Sequence, residues 1–181
     1  MRICLGSDEL LNGGNPDIKI KFGEKEFLKS VEKISNDILE RYSDRLSKIG
    51  FIGLARGGLP LLTAVSHRIN FRRINVVQIQ MTNSNNKWDY GEAKWVDGFI
   101  QDDVDEYIIF EDMVSHGRSV NLLINELVKR GKKVLAVYSL FMNDDMKKIL
   151  LDNKNVDIIY TNLICQKQWV YFFWENGYLI D

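Results

Sequence analysis

Between Phe27 and Ile49, apolar side chains recur at helical spacing: Phe27, Leu28, Val31, Ile34, Ile38, Leu39, Tyr42, Leu46 and Ile49, with lysines and glutamates between them. The pattern predicts a long amphipathic helix laid against a core. The period then changes. Phe51-Ile52-Gly53-Leu54-Ala55 is a continuous apolar run, as expected of a strand buried on both faces. Arg56-Gly57-Gly58 interrupts it, and Leu59 to Ile69 resumes as a helix with Pro60 in its first turn, where proline is tolerated. Ile74 to Ile79, Tyr107 to Phe110, Val134 to Phe141 and Val156 to Tyr160 predict further strands. Helices are expected over Ser119 to Arg130, which ends before Gly131, and over Asp144 to Leu151. Strand and helix alternate, so the chain reads as an α/β fold with a mostly parallel five-stranded sheet flanked by helices.

Three stretches stand outside this alternation. Met1 to Asp17 carries Gly6, Gly13, Gly14 and Pro16 and reads as a short strand or arm followed by a turn. Met81 to Gly98 is polar, holds Trp88, Tyr90 and Trp95, and has the length of a lid or binding loop. Leu163 to Asp181 is rich in aromatic residues, and a terminal strand capping the core accounts for most of them.

Composition narrows the class. The chain has 181 residues, 45% of them apolar and 27% charged, enough for one globular domain with a real core. Lysines and arginines number 24 against 25 acidic residues, which leaves a formal net charge of -1 and no basic excess for nucleic acid. Cys4 and Cys165 are too few for a disulfide framework and have no metal-type spacing with histidine, so they read as thiols in a reducing compartment. No secretory signal pattern opens the chain, and no run nears the roughly 18 apolar residues that span a bilayer. A cytoplasmic protein without a membrane partner is the expectation.

In an open α/β sheet, ligands bind beyond the carboxyl ends of the strands. One such end is Leu54-Ala55-Arg56-Gly57-Gly58-Leu59-Pro60. It is neither a Rossmann nor a Walker pattern. Two glycines beside an arginine at a helix start form an anion cradle, and a plain tight turn explains the glycines as well. The other end is Tyr107-Ile108-Ile109-Phe110-Glu111-Asp112-Met113-Val114-Ser115-His116-Gly117-Arg118-Ser119. An apolar strand ends there in adjacent carboxylates, and a small polar loop leads into a helix. Backbone N–H groups from Ser115 to Ser119 suit a phosphate monoester, and the carboxylates suit a vicinal diol. Together they describe a ribose 5-phosphate site, whereas an acidic pair alone also fits a solvated edge.

The segment from Ile108 to Val120 resembles the signature of type I phosphoribosyltransferases: apolar residues, two acidic residues, two apolar residues, then a loop ending Gly-x-Thr/Ser. Arg56-Gly57-Gly58-Leu59 resembles the family's pyrophosphate loop, and Trp169-Val170-Tyr171-Phe172-Phe173-Trp174-Glu175 is similar to the base-covering hood of bacterial xanthine-guanine enzymes. The three come in the family's order. The resemblance implies a single type I phosphoribosyltransferase domain over residues 1–181, with a core of about 26–160 and a C-terminal hood of 161–181 joined by the N-terminal arm 1–20. It implies an enzyme that moves the phosphoribosyl group from phosphoribosyl pyrophosphate to a purine-like nucleobase.

The same resemblance assigns roles. Glu111 and Asp112 would bind the ribose hydroxyls, Ser115, His116, Gly117, Arg118 and Ser119 the 5-phosphate, and Arg56 with Gly57 and Gly58 the pyrophosphate. Trp169 would stack on the base and Val170 would meet its edge through the backbone. Mg²⁺ would arrive on the diphosphate near Glu111 and Asp112, with Glu175 acting through water. A homodimer or tetramer is implied, and Met81 to Gly98 falls where the family has its mobile lid.

The chain departs from the pattern at four places. Ser115 stands where 6-oxopurine enzymes have an aspartate that handles a base proton, work serine cannot do without a neighbouring base. Leu140-Phe141-Met142-Asn143 lacks the lysine that meets the base's exocyclic oxygen. The lid's Ser-Tyr pair is replaced by Thr82-Asn83-Ser84, and His116 stands where threonine is usual. These departures keep two rivals open: a regulatory protein that binds phosphoribosyl pyrophosphate or a nucleotide without chemistry, and a transferase for another nitrogenous acceptor.

Overall fold

The computed structural model describes residues 18–82, 90–143, 156–164 and 168–175. Strand β1 (Ile18–Phe22) leads into helix α1 (Glu24–Tyr42), and a short 3-10 turn at Leu46–Lys48 precedes β2 (Ile49–Ala55). Then follow α2 (Gly58–Arg68), β3 (Ile74–Thr82), β4 (Tyr90–Gly98), β5 (Glu106–Val114), α3 (Arg118–Lys129), β6 (Lys133–Asn143), β7 (Asp157–Ile164) and β8 (Gln168–Phe172).

The main sheet has six strands in the order β4-β3-β2-β5-β6-β7. Neighbours from β3 to β7 pair parallel, as the alternation predicts. The sixth strand corrects the expected five. β3 runs on to Thr82, and β4 returns antiparallel beside it, with Val77 opposite Gly98 and Gln80 opposite Lys94. Much of the stretch expected as an irregular lid is therefore a sheet edge, while residues 83–89 lie outside the described region. Its polar residues misled because an edge strand buries little: Lys94, Val96 and Asp97 are exposed, while Ala93 and Trp95 pack against the core.

The period-2 logic of buried strands is visible in how neighbouring residues divide between two cores. Phe51, Ile108, Phe110 and Tyr138 join the cluster under α1 and α2. Ile52, Ile109 and Val137 join the cluster under α3. Both faces are covered, so the strands read as unbroken apolar runs.

Helix α1 buries Phe27, Val31, Ile34, Ile38 and Tyr42 on one face, while Leu28 stays 56% exposed. Glu24 and Glu26 sit in its first turn and Arg41 in its last, matching the helix dipole. The helix stops at Tyr42, not at Ile49. Ile49 is fully buried in β2 opposite Glu106, so its apolar side chain serves the strand that the helical spacing had absorbed.

Outside the main sheet, β8 pairs parallel with β1, setting Trp169 opposite Lys19 and Val170 opposite Ile20. Phe22 binds this small sheet to the core through an edge contact with Phe141 at 5.0 Å, and packs on Phe172 within the small sheet at 5.8 Å. Trp174 stacks on Phe172 at 4.7 Å. Among the described rings of the aromatic tail, Phe172 lies in the core and Phe173 and Trp174 pack against it. The N-terminal turn, the helix expected at Asp144 to Leu151 and both cysteines fall outside the described residues. Among the described residues, no helix is long and apolar enough to cross a membrane.

Removing side-chain volume on the buried face of α1 tests this arrangement. Ile38→Ala, at a fully buried position, is expected to cost about 2–5 kcal/mol of unfolding free energy. Leu28→Ala, on the exposed face, should change it by less than about 0.5 kcal/mol. Urea denaturation followed by circular dichroism measures both, and equal losses would refute the assigned helix face.

Candidate active site

The chain order of the sheet reverses between β2 and β5: from β2 the chain proceeds outward to β3, and from β5 it proceeds the other way to β6 and β7. A crevice at such a switch point opens beyond the carboxyl ends of the two strands. The two loops singled out in the sequence are those that leave β2 and β5 there.

The first of them lies against β5 itself. A Cβ added to Gly57 would collide with the carboxylate of Asp112, and one added to Gly58 would collide with the backbone carbonyl oxygen of Phe110. The Asp112 side chain is able to swing aside, but the Phe110 carbonyl belongs to a central strand and is not. Gly58 is therefore fixed by close approach: only a residue without Cβ lets α2 start directly over β5. The Ala55–Arg56 peptide, which opens this loop, is cis, and Arg56 is exposed at its rim.

Strand β5 does not end at the acidic pair, as the sequence suggested. Ladder pairing carries on to Val114, with Glu111 opposite Ser139 and Met113 opposite Phe141. Each carboxylate bonds to the backbone of the next residue. The Asp112 N–H donates to Glu111 Oε1 at 3.1 Å, and the Met113 N–H donates to Asp112 Oδ1 at 2.6 Å. Glu111 is only 8% exposed. Burial pushes its carboxyl well above the usual carboxylate range, and the like charge of Asp112 adds to this. Burial likewise pushes Asp112 up to about 6, and the Glu175 carboxylate contributes in the same direction.

Ser139 is a positioning residue that sequence reasoning passed over. Its hydroxyl donates to the Phe141 carbonyl at 2.6 Å and to the Asp112 carbonyl at 3.2 Å. A lone hydroxyl within Leu135-Ala136-Val137-Tyr138-Ser139-Leu140-Phe141 was the available signal.

Beyond β5 the chain turns through Gly117, whose φ of 64° lies in the left-handed region that favours glycine, and α3 begins at Arg118. No side chain caps this helix start, which gives it backbone N–H groups of the kind that bind anions. Ser115, His116, Arg118 and Ser119 are half-buried around the turn. Ser115 Oγ and His116 Nδ1 are 3.2 Å apart.

The β8 residues have a different character. Trp169 is half-buried, whereas the Val170 side chain is buried in the core. Glu175 Oε2 accepts the Phe172 N–H at 3.1 Å, closing the turn after β8, while its charge is felt at Asp112. Asn143, at the carboxyl end of β6, is 4% exposed. His67 is exposed on α2, away from these loops, and Arg68 beside it pairs with Glu32 at 2.8 Å, as a surface reading predicts. Among the described residues, no group of three or more histidine, cysteine or acidic side chains is arranged to hold a metal ion.

Comparison with known proteins bears on this geometry. The sequence profile of the phosphoribosyl transferase domain matches residues 23–181. A hypoxanthine phosphoribosyltransferase of Buchnera aphidicola subsp. Schizaphis graminum is 25% identical over 150 residues, covering 78% of this chain and 79% of the relative. Two solved structures share the fold. The xanthine-guanine-hypoxanthine phosphoribosyltransferase of Helicobacter pylori superposes with a TM-score of 0.66 at 17% identity, covering 88% of this chain and 95% of its own. A purine phosphoribosyltransferase of Pyrococcus horikoshii gives 0.64 at 18% identity, covering 87% and 94%.

The raised carboxyl of Asp112 has a definite consequence for stability. Its folded value of about 6 exceeds the ordinary 3.8, so the folded state binds the proton more tightly. This contribution is fully present below the ordinary value and is lost as pH rises through about 6. Asp112→Asn is therefore expected to raise the Tm at about pH 8 and to lose that advantage by about pH 4. Thermal unfolding of both proteins across this range checks the sign. Gly58→Ala should lower stability by about 1–3 kcal/mol through its clash with Phe110, and an unchanged Tm would contradict the packing described.

Proposed function

The chain belongs to the phosphoribosyl transferase domain family, and on that premise we propose that it transfers the 5-phosphoribosyl group of phosphoribosyl pyrophosphate to a ring nitrogen of a purine-like base, releasing pyrophosphate. One observation carries the reading: the loop after β2 closes on the acidic end of β5 at the switch point, so that Gly57 and Gly58 sit directly over Asp112 and Phe110. A ligand with a diphosphate, a diol and a phosphate monoester presents these groups around one sugar ring. The hypoxanthine enzyme among the relatives supports a purine-like acceptor.

Each chain residue has a physical task in this reading. Glu111 and Asp112 accept hydrogen bonds from the ribose 2′- and 3′-hydroxyls. Water-poor carboxylates whose pKa values are raised gain most from such donors, because the donors replace lost solvation. Backbone N–H groups from Ser115 to Ser119 hold the 5-phosphate at the uncapped start of α3. Arg56 and the amides of Gly57 and Gly58 hold the diphosphate as charge develops on it. Trp169 stacks on the base, and the Val170 backbone meets its edge. The adjacent carboxylates fit a hard cation brought in by the diphosphate: Glu111 and Asp112, with Glu175 through water, are the residues that would face Mg²⁺. That ion supplies charge neutralisation of the leaving group.

The small β1–β8 sheet serves in this reading as the hood of a single domain. A homodimer or tetramer is part of the proposal as well. Ile74, Val76, Val96 and Phe99 are 43–67% exposed along the β3–β4 edge, apolar surface that a second copy would cover.

The test is a panel of nucleobases with phosphoribosyl pyrophosphate and Mg²⁺, following pyrophosphate release. Turnover is expected with at least one 6-oxopurine or aminopurine. Arg56→Ala and Asp112→Asn are each expected to lower kcat/KM by about 10²-fold or more. Ser115 and the buried Asn143 favour a second reading, a nucleotide-binding regulatory protein. Tight nucleotide binding with no turnover across the panel would establish that reading instead.

A further inference from the structure

A ring nitrogen that carries hydrogen must lose it as the new bond to carbon forms, and the crevice needs a group to take that proton. The nearest carboxylates are occupied: in the proposed reading Glu111 and Asp112 hold the sugar hydroxyls. Glu175 closes the turn after β8 through the Phe172 N–H. The loop after β5 holds a further candidate. Ser115 comes three residues after Asp112, between the groups that take the ribose hydroxyls and the amides that take its phosphate. Its Oγ lies 3.2 Å from His116 Nδ1. A serine alone is a poor base at neutral pH, but a hydroxyl that donates to a neutral imidazole can accept one proton while giving up another.

We propose, resting on the transferase reading above, that Ser115 and His116 form a proton relay for the acceptor base. With the imidazole in its Nε2–H tautomer, Nδ1 accepts the Ser115 hydroxyl hydrogen. The acceptor nitrogen bonds to C1′ as the bond from C1′ to the diphosphate oxygen breaks, and pyrophosphate leaves with the electron pair. The proton on the base passes to Ser115 Oγ as the serine's own proton passes to His116 Nδ1. The products are a neutral nucleotide base and an imidazolium, which returns its proton to water. Ser115 is the catalytic residue here, and His116, acting through it, is a positioning residue.

Steady-state kinetics with the base that the wild-type protein uses best decide the matter. His116→Gln should lose about 10²-fold in kcat, with the KM for phosphoribosyl pyrophosphate changed by less than about threefold. In the double variant Ser115→Asp with His116→Gln, a carboxylate replaces the relay. It should recover most of the rate. An unchanged kcat in His116→Gln, a parallel rise in its KM, or no recovery in the double variant would each overturn the relay and leave the transferase reading standing. A wild-type protein inactive with every base overturns the transferase reading itself, and the relay with it.

Discussion

A buried glutamate beside a half-buried aspartate, adjacent near the carboxyl end of a central strand, is the constraint around which this molecule is arranged. Leaving charged acids in a dry place is costly unless hydrogen-bond donors or a cation meet them. The fold supplies only part of what they need. The N–H groups of Asp112 and Met113 each bond one carboxylate oxygen, and Ser139 ties the Asp112 carbonyl to the next strand. The remaining demand is left to a ligand, and a sugar diol is the kind of partner that supplies donors at the right spacing.

The rest of the architecture keeps that place dry and open on one side only. Two cores clamp β2 and β5 from both faces, so the strands cannot yield when the acids repel. Gly58 lets the β2–α2 loop approach until it touches the β5 backbone. Gly117 then turns the chain so that α3 presents uncapped amides beside the acids. Negative carboxylates and positive backbone dipoles stand side by side, one suited to hydroxyl donors and the other to phosphate. A net charge of -1 is consistent with this design, since the anion site is built from local dipoles and one arginine and needs no basic surface.

Stability and function pull against each other at Asp112. A residue chosen for folding alone would not be a half-buried acid with its pKa pushed up to about 6 next to a second acid. Strain of this kind, kept at the mouth of a switch-point crevice, marks a site under a binding constraint. In the proposed relay, the 3.2 Å contact between Ser115 and His116 joins them into one unit.

The parallel core was legible in the amino-acid sequence, because strands buried on both faces must be apolar throughout and helices packed on one face must repeat every 3.6 residues. The two loops at the switch point were legible for the same local reason: Arg56-Gly57-Gly58 and Glu111 to Ser119 interrupt apolar runs with residues a buried strand would not choose. Edges were not legible. The β4 strand looked like a loop because an edge strand buries few side chains, and Ile49 joined the wrong element because one apolar residue fits either period. Nor does local pattern reveal pairings across the chain. That Gly58 meets the Phe110 carbonyl, that Ser139 holds Asp112, and that β1 pairs with β8 depends on chain segments brought together only by burying a common core. Local chemistry is written residue by residue, whereas the distance between two loops is decided when the sheet closes between them.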